Sequence, residues 1–127
     1  MQIITQYHEL NCLGAVLINY LPMLSRSLML NVERQSKVSP EFLQSKLIVA
    51  VVQELEEFML KKLAARPSQK IKLKLSDAQG IILYKTLLDM PIASIEHYQN
   101  LCRSNWLKQL DQQIIHNPQN YMYATQH

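Results

Sequence analysis

One short segment of the sequence carries side chains that could bind a metal ion: His8-Glu9-Leu10-Asn11-Cys12. In a helix, His8 and Cys12 would share one face because they stand four residues apart, and both residue types bind zinc. The segment departs from the His-Glu-x-x-His pattern of metalloproteases because Cys stands at its last position. His97 and Cys102 could add ligands, but five residues of helix turn these two side chains about 140° apart. We therefore predict no metal and no cofactor.

Other patterns that support catalysis do not occur in the sequence. Gly14 and Gly80 are the only glycines, so no glycine-rich loop can bring backbone amides to a phosphate. There is no Gly-x-Ser-x-Gly motif, and no glutamate is followed three residues later by a histidine, as in di-iron bundles. We predict a non-enzymatic protein without catalytic residues. An enzyme or metal protein that uses His8 and Cys12 is the third of three functional hypotheses.

The best candidate for a binding site is a basic stretch, residues 61–74. It has six positive side chains and no acidic one, and because the net charge of the whole chain is +3, the remaining residues sum to −3. The residues predicted to bind a partner are Lys61, Lys62, Arg66, Lys70, Lys72 and Lys74.

This basic stretch could hold the phosphates of a nucleic acid in a salt-dependent way. Proteins that bind single strands usually add aromatic side chains for base stacking. The nearest aromatic residues, Phe58 and Tyr84, lie outside the stretch. A nucleic-acid-binding accessory role is therefore the second hypothesis, and lysines that protect an exposed strand edge are the simpler interpretation.

Residues 70–75 predict a short extended segment in an otherwise helical chain. Lysines at 70, 72 and 74 alternate with apolar residues, which is the pattern of a strand with one buried face. A lone strand cannot satisfy its own backbone, so we expect a partner strand from the tail at 121–125, from a second subunit or from another protein. Pairing with its own copy would set lysines against lysines. We therefore favour a ribbon laid over the helices, or one that recruits an acidic protein partner at 66–75.

The rest of the chain predicts helices. The first, at 3–31, has a heptad-like apolar seam on which Gly14 would let another helix approach closely. Pro22 is expected to kink or break it and to leave a second piece at 23–34. Ser39-Pro40-Glu41 is a strong helix start, and Ser76 forms a capping box with Gln79. The later helices are predicted at 40–65, 77–88 and 93–115.

These elements predict an all-α fold, an antiparallel bundle of four to five helices with one short extended segment at about 70–75. A chain of 127 residues fits a single domain, 1–127. Its tail at 117–127 is expected to be frayed or to form a second short extended segment.

The cysteines and the apolar segments indicate the cellular localisation that we expect for the protein. Two cysteines are too few for a disulfide framework, so we expect free thiols and a cytoplasmic protein. The apolar run at 12–24 contains Asn19 and Pro22 and falls short of the ~20 residues that span a bilayer. We therefore expect no membrane association.

The preferred functional hypothesis is a small non-enzymatic protein-interaction or regulatory module. The helix at 3–31 is apolar on more than one side, which predicts self-association as a homodimer through that helix. The other predicted partner is an acidic protein segment at 66–75, and nucleic acid at 61–74 is the less favoured alternative.

Overall fold

The computed structural model describes residues 1–34, 37–65, 70–94 and 96–116, and within those ranges it contains four helices and a small two-stranded sheet. The predicted all-α, bundle-like class is confirmed. In chain order the elements are β1 (Gln2–Thr5), α1 (Tyr7–Glu33), α2 (Pro40–Ala65), β2 (Ile71–Lys74), α3 (Asp77–Asp89) and α4 (His97–His116). The tail at 117–127 and Arg66 lie outside the described residues.

α1 and α2 pack against each other and run antiparallel. Gly14, near the start of α1, lies against Leu63 near the end of α2, whereas Met29 near the end of α1 meets Gln53. A Cβ atom at Gly14 would lie 3.2 Å from the Leu63 side chain, which confirms that this glycine permits close approach of a second helix. Each helix is about 40 Å long, so this pair sets the long dimension of the bundle.

The first helix begins at Tyr7 and not at residue 3, so the predicted start of that helix is wrong. Ile3 fits the heptad seam in the sequence, but it is fully buried as part of β1. Residues 2–5 find backbone partners in β2, and these partners lie too far along the chain for a periodicity argument to detect. The Glu9 carboxylate accepts a hydrogen bond from the Gln6 N–H at 3.1 Å, and this cap marks the beginning of α1.

α1 continues through Pro22, so of the two predicted outcomes the break, with its second piece at 23–34, is wrong, and the kink stays a prediction. A proline inside a helix costs about 3 kcal/mol, because it removes one N–H donor and crowds the preceding turn. Leu17, Leu21 and Ser25 are buried on either side of it. The burial of this continuous seam offsets the local cost and keeps the helix in one piece.

The predicted starts of α2 and α3 are confirmed by their caps. The Ser39 hydroxyl accepts a hydrogen bond from the Phe42 N–H at 3.1 Å. Ser76 and Gln79 exchange two hydrogen bonds, 3.1 Å to the Ser76 hydroxyl and 3.0 Å to the Gln79 side-chain oxygen. α4 begins at His97, later than the predicted residue 93.

α4 is fastened to the sheet on one side and to α3 on the other. Trp106 is its largest fully buried side chain, and the indole N–H donates to the Thr5 hydroxyl of β1 at 3.2 Å. Arg103 donates to the Met90 carbonyl at 2.7 Å and so caps the C-terminal end of α3. These contacts hold α4 alongside β1. The polar face of α4 therefore lies along that edge of the sheet.

Candidate functional site: the outer edge of the second strand

β2 pairs with β1, in antiparallel orientation, and this pairing creates the candidate site. The register sets Gln2 opposite Lys74 and Ile4 opposite Lys72. For the edge of β2 that faces β1, the expectation that the partner strand would come from the tail, a second subunit or another protein is therefore wrong. The N-terminal residues supply it because an isolated strand leaves its backbone unsatisfied, and β1 meets that need within the same chain.

The two faces of β2 differ as the alternation predicts. Leu73 is fully buried and Leu75, just beyond the strand, is 6% exposed. Lys70, Lys72 and Lys74 are exposed. Side chains two residues apart on a strand lie about 7 Å from each other, so the three lysines form a row on the solvent-facing side.

The alternation of hydrogen-bonded and non-bonded residue pairs along the ladder shows which backbone groups of β2 do not bond to β1. Met1 and Leu75 exchange two hydrogen bonds of 2.8 and 2.7 Å. Bonded and non-bonded pairs alternate in an antiparallel ladder, so the pairs that contain Lys72 and Lys74 are non-bonded ones. The N–H and C=O groups of these two lysines therefore point away from β1. Within the described residues, no hydrogen bond to either lysine's backbone groups is formed from that side.

The outer edge of β1 is closed by two side chains of α4. The Gln109 amide accepts from the Ile4 N–H at 2.8 Å and donates to the Ile4 carbonyl at 2.9 Å. Gln113 makes the same pair of bonds to the backbone of Gln2, at 2.7 and 2.6 Å. Each side-chain amide thus replaces one peptide unit of a neighbouring strand.

The spacing of the two glutamines explains why they fit this edge. Four residues of helix rise about 6.0 Å, and two residues of strand advance about 6.6 Å. Gln109 and Gln113 on α4 therefore match Ile4 and Gln2 on β1. Sequence reasoning missed both glutamines, since the Gln-x-x-x-Gln spacing has no meaning until α4 is known to lie along a strand.

In the described residues the predicted basic stretch is divided between two elements. Lys70, Lys72 and Lys74 lie together along β2, whereas Lys61 and Lys62 belong to the last turns of α2. The Lys62 ammonium group lies 5.5 Å from the centroid of the Phe58 ring, a cation–π contact that occupies it within its own helix. Of the six predicted partner-binding residues, the three lysines of the strand lie together on one element, and partner binding by any of the six stays a prediction.

Comparisons with known proteins add no assignment to this edge. No protein-family model matches the chain, and no curated protein or solved structure matches it. The features of this edge that bear on function are the geometry of the sheet and its charges.

His8 and Cys12 meet α4, but not in an arrangement that suits a metal ion. The His8 ring stacks on Tyr98, with centroids 6.0 Å apart and planes inclined by 20°. Cys12 and Cys102 are free thiols, half-buried and buried respectively. In the part of the chain that the structure describes, no three His, Cys, Asp or Glu side chains are grouped to hold a metal ion.

The Cys102 thiol in this contact is not activated. Burial raises the pKa of the Cys102 thiol; a hydrogen bond with Tyr98 opposes the rise, and the nearby Cys12 thiol adds to it. Burial, with a contribution from Cys102, also raises the pKa of Tyr98 to about 12. A thiol that stays protonated at neutral pH is a poor nucleophile. This cluster therefore packs α1 against α4, and the hypothesis of an enzyme or metal protein stays in third place.

A second exposed surface lies on the parts of α1 and α2 that are remote from the sheet. Leu30, Leu43 and Leu47 are 50%, 52% and 68% exposed there. The heptad seam of α1 is instead buried within the chain, so a homodimer through α1 would have to use this remote surface. Self-association stays a prediction.

α1 is also the one described helix that is long and apolar enough to cross a membrane, by length and composition. The buried core helix of a soluble protein meets the same criterion. In this chain Leu13, Leu17 and Leu21 of α1 are buried within the fold. The absence of membrane association stays a prediction.

Proposed function

We propose that this protein is a small, non-enzymatic, cytoplasmic interaction module that binds an extended segment of a partner protein along the outer edge of β2. The observation that carries the proposal is the contrast between the two edges of the sheet. The edge of β1 is closed by Gln109 and Gln113, while the outward backbone groups of Lys72 and Lys74 have no partner in the part of the chain that the structure describes. A partner strand would complete a three-stranded sheet.

Strand addition supplies its affinity through main-chain hydrogen bonds. The outward N–H and C=O groups of Lys72 and Lys74 provide two donors and two acceptors for it. Lysines on an edge also discourage pairing with another copy of the same strand, because like charges would face each other. The same side chains can therefore exclude identical chains and admit a partner of opposite charge.

A proline scan of the strand tests this proposal. Lys72→Pro removes an N–H that points away from β1 and keeps the β1–β2 ladder, because proline is tolerated on strand edges. We expect a fluorescein-labelled hexapeptide, Glu-Val-Glu-Val-Glu-Val, to bind the wild type by fluorescence anisotropy and to lose most of its affinity for Lys72→Pro. The matched control is Lys72→Gln, which keeps the backbone donor. Equal binding to the wild type and Lys72→Pro, with Trp106 emission unchanged in the variant, would contradict the proposal.

The nucleic-acid hypothesis for residues 61–74 is the second candidate, and the exposure of Lys61, Lys70, Lys72 and Lys74 favours it. Retention on heparin or DNA at low salt that is lost when the three strand lysines become glutamine would support it. No retention at low salt would remove it. Light scattering at high protein concentration tests the proposed homodimer, and a clean monomer would rule that out.

A further inference from the structure

We infer that the segment bound by β2 carries acidic side chains at alternate positions, with apolar side chains between them. This inference rests on the proposed strand addition and names the class of partner. It follows from the charges around the row of lysines, from the two faces of β2, and from the chemistry of the alternatives.

The lysines of β2 are not neutralised by their own sheet. The residues opposite Lys72 and Lys74 on β1 are Ile4 and Gln2, which carry no charge. The next side chains across the same sheet are the amides of Gln109 and Gln113. No ion pair involves Lys70, Lys72 or Lys74 within the described ranges. The positive charge on this face is therefore available to a third strand.

The pleat of the sheet fixes where the acidic residues of the partner must stand. Side chains of adjacent strands that share a face lie opposite each other, and along one strand they recur every second residue. The lysines at 70, 72 and 74 therefore select a segment with carboxylates at positions i, i+2 and i+4.

The opposite face of β2 determines the residues between the carboxylates. Leu73 is fully buried there, and Ile71 is half-buried. An added strand would place its intervening side chains on this same face. Apolar residues at those positions would extend the contact made by Ile71, and polar ones would lose water without gaining a partner.

Two other occupants fit this edge less well. A second copy of β2 would set lysines opposite lysines at about 5 Å, which is destabilising. A nucleic acid would use the charge of Lys70, Lys72 and Lys74 but not the outward N–H groups in a ladder, and the described strands carry no aromatic side chain on which a base could stack.

The experiment compares four dye-labelled hexapeptides by fluorescence anisotropy on the full chain. They are alternating Glu-Val, alternating Thr-Val, alternating Lys-Val, and a block peptide with three Glu followed by three Val. We expect alternating Glu-Val to bind about tenfold or more tighter than alternating Thr-Val, since each opposite-charge cross-strand pair contributes modestly. This preference should shrink between 0.05 and 0.5 M salt, because exposed charges are screened.

A charge-reversed protein provides the matched control. In the triple variant with Lys70, Lys72 and Lys74 changed to Glu, the backbone edge is unaltered, so the preferred peptide should switch to alternating Lys-Val. The three side chains are exposed, and unchanged Trp106 emission would show that the core is intact.

The outcomes separate the inference from the function on which it rests. If alternating Thr-Val or the block peptide binds as tightly as alternating Glu-Val, the inference is overturned and strand addition stands. If no peptide binds, the proposed function itself fails. If a single-stranded oligonucleotide binds more tightly than alternating Glu-Val at 0.15 M salt, both fail and the nucleic-acid hypothesis takes their place.

Discussion

The sheet has two outer edges, and the fold treats them in opposite ways. Along β1, Gln109 and Gln113 use neutral side-chain amides to satisfy the outward backbone groups. Along β2, the outward groups of Lys72 and Lys74 meet no such partner among the described residues, and the lysine side chains are charged. Exposed strand edges tend to recruit other strands. The closed β1 edge stabilises the fold, and the contrast with β2 is the basis of our proposal that the β2 edge binds a partner strand.

The largest expected effect comes from removing the anchor of the closed edge. Trp106→Ala deletes a fully buried side chain and its 3.2 Å hydrogen bond to Thr5. We expect the free energy of unfolding to fall by about 3–5 kcal/mol, measured by urea denaturation with far-UV circular dichroism. Trp106→Phe should lose less, because it retains most of the volume. A loss below about 1 kcal/mol for Trp106→Ala would show that β1 is not held from this side.

Removing one glutamine tests the closure of the β1 edge directly. Gln109→Ala deletes two hydrogen bonds to the backbone of Ile4, so we expect a loss of about 1–3 kcal/mol and faster hydrogen exchange at the Ile4 amide. The loss should be similar at low and high salt, since both groups are neutral. Gln112→Ala, at an exposed position of the same helix, is the control and should stay within about 0.5 kcal/mol. Equal effects of the two variants would refute the closure.

Neutralising the open edge should make the protein associate with itself. In a variant with Lys70, Lys72 and Lys74 changed to Thr, the strand keeps its backbone and loses its repulsion. We expect light scattering to show a molecular mass that rises with concentration. The corresponding Glu variant should remain as the wild type is, because like charges still face each other. A Thr variant that associates no more than the wild type would mean that the lysines do not guard this edge.

The smallest effect is expected for a single lysine of the open edge. Lys72→Gln should change the free energy of unfolding by less than about 0.5 kcal/mol, because its side chain is exposed and unpaired in the described structure. Thermal unfolding followed by circular dichroism checks this. A loss comparable to that of Gln109→Ala would remove the asymmetry between the two edges.

Local signals in the sequence were sufficient for the starts of α2 and α3. The Ser76–Gln79 capping box and the Ser39 cap predict starts that the structure confirms, because each depends on residues three positions apart. The break that was one of two expected outcomes at Pro22 does not occur, because a local signal was overridden. A local penalty of proline was outweighed by burial of Leu21 and Ser25, which only the complete core reveals.

The candidate site was predictable only in part. The alternation at 70–75 correctly predicts a strand with lysines outside, since period two is a local property. Its partner, β1, has only four residues, and the pairing of Gln2 with Lys74 spans most of the chain. The closure by Gln109 and Gln113 adds a third distant segment. The unpaired edge of the sheet is therefore determined by the assembled fold, and no local sequence pattern predicts which edge it is.

The position of β1 in the chain has a consequence during synthesis on the ribosome. Gln2 lies 111 residues before Gln113, which satisfies its outward groups, so β1 is made long before the segments that hold it. At about 5–20 residues per second, roughly 5–20 s pass before they emerge. β2 is made earlier and can pair with one edge of β1, but the outward groups of Gln2 and Ile4 lack the side chains of Gln109 and Gln113 until α4 is made. The outer edge of β1 therefore stays open on the nascent chain after the sheet itself can form.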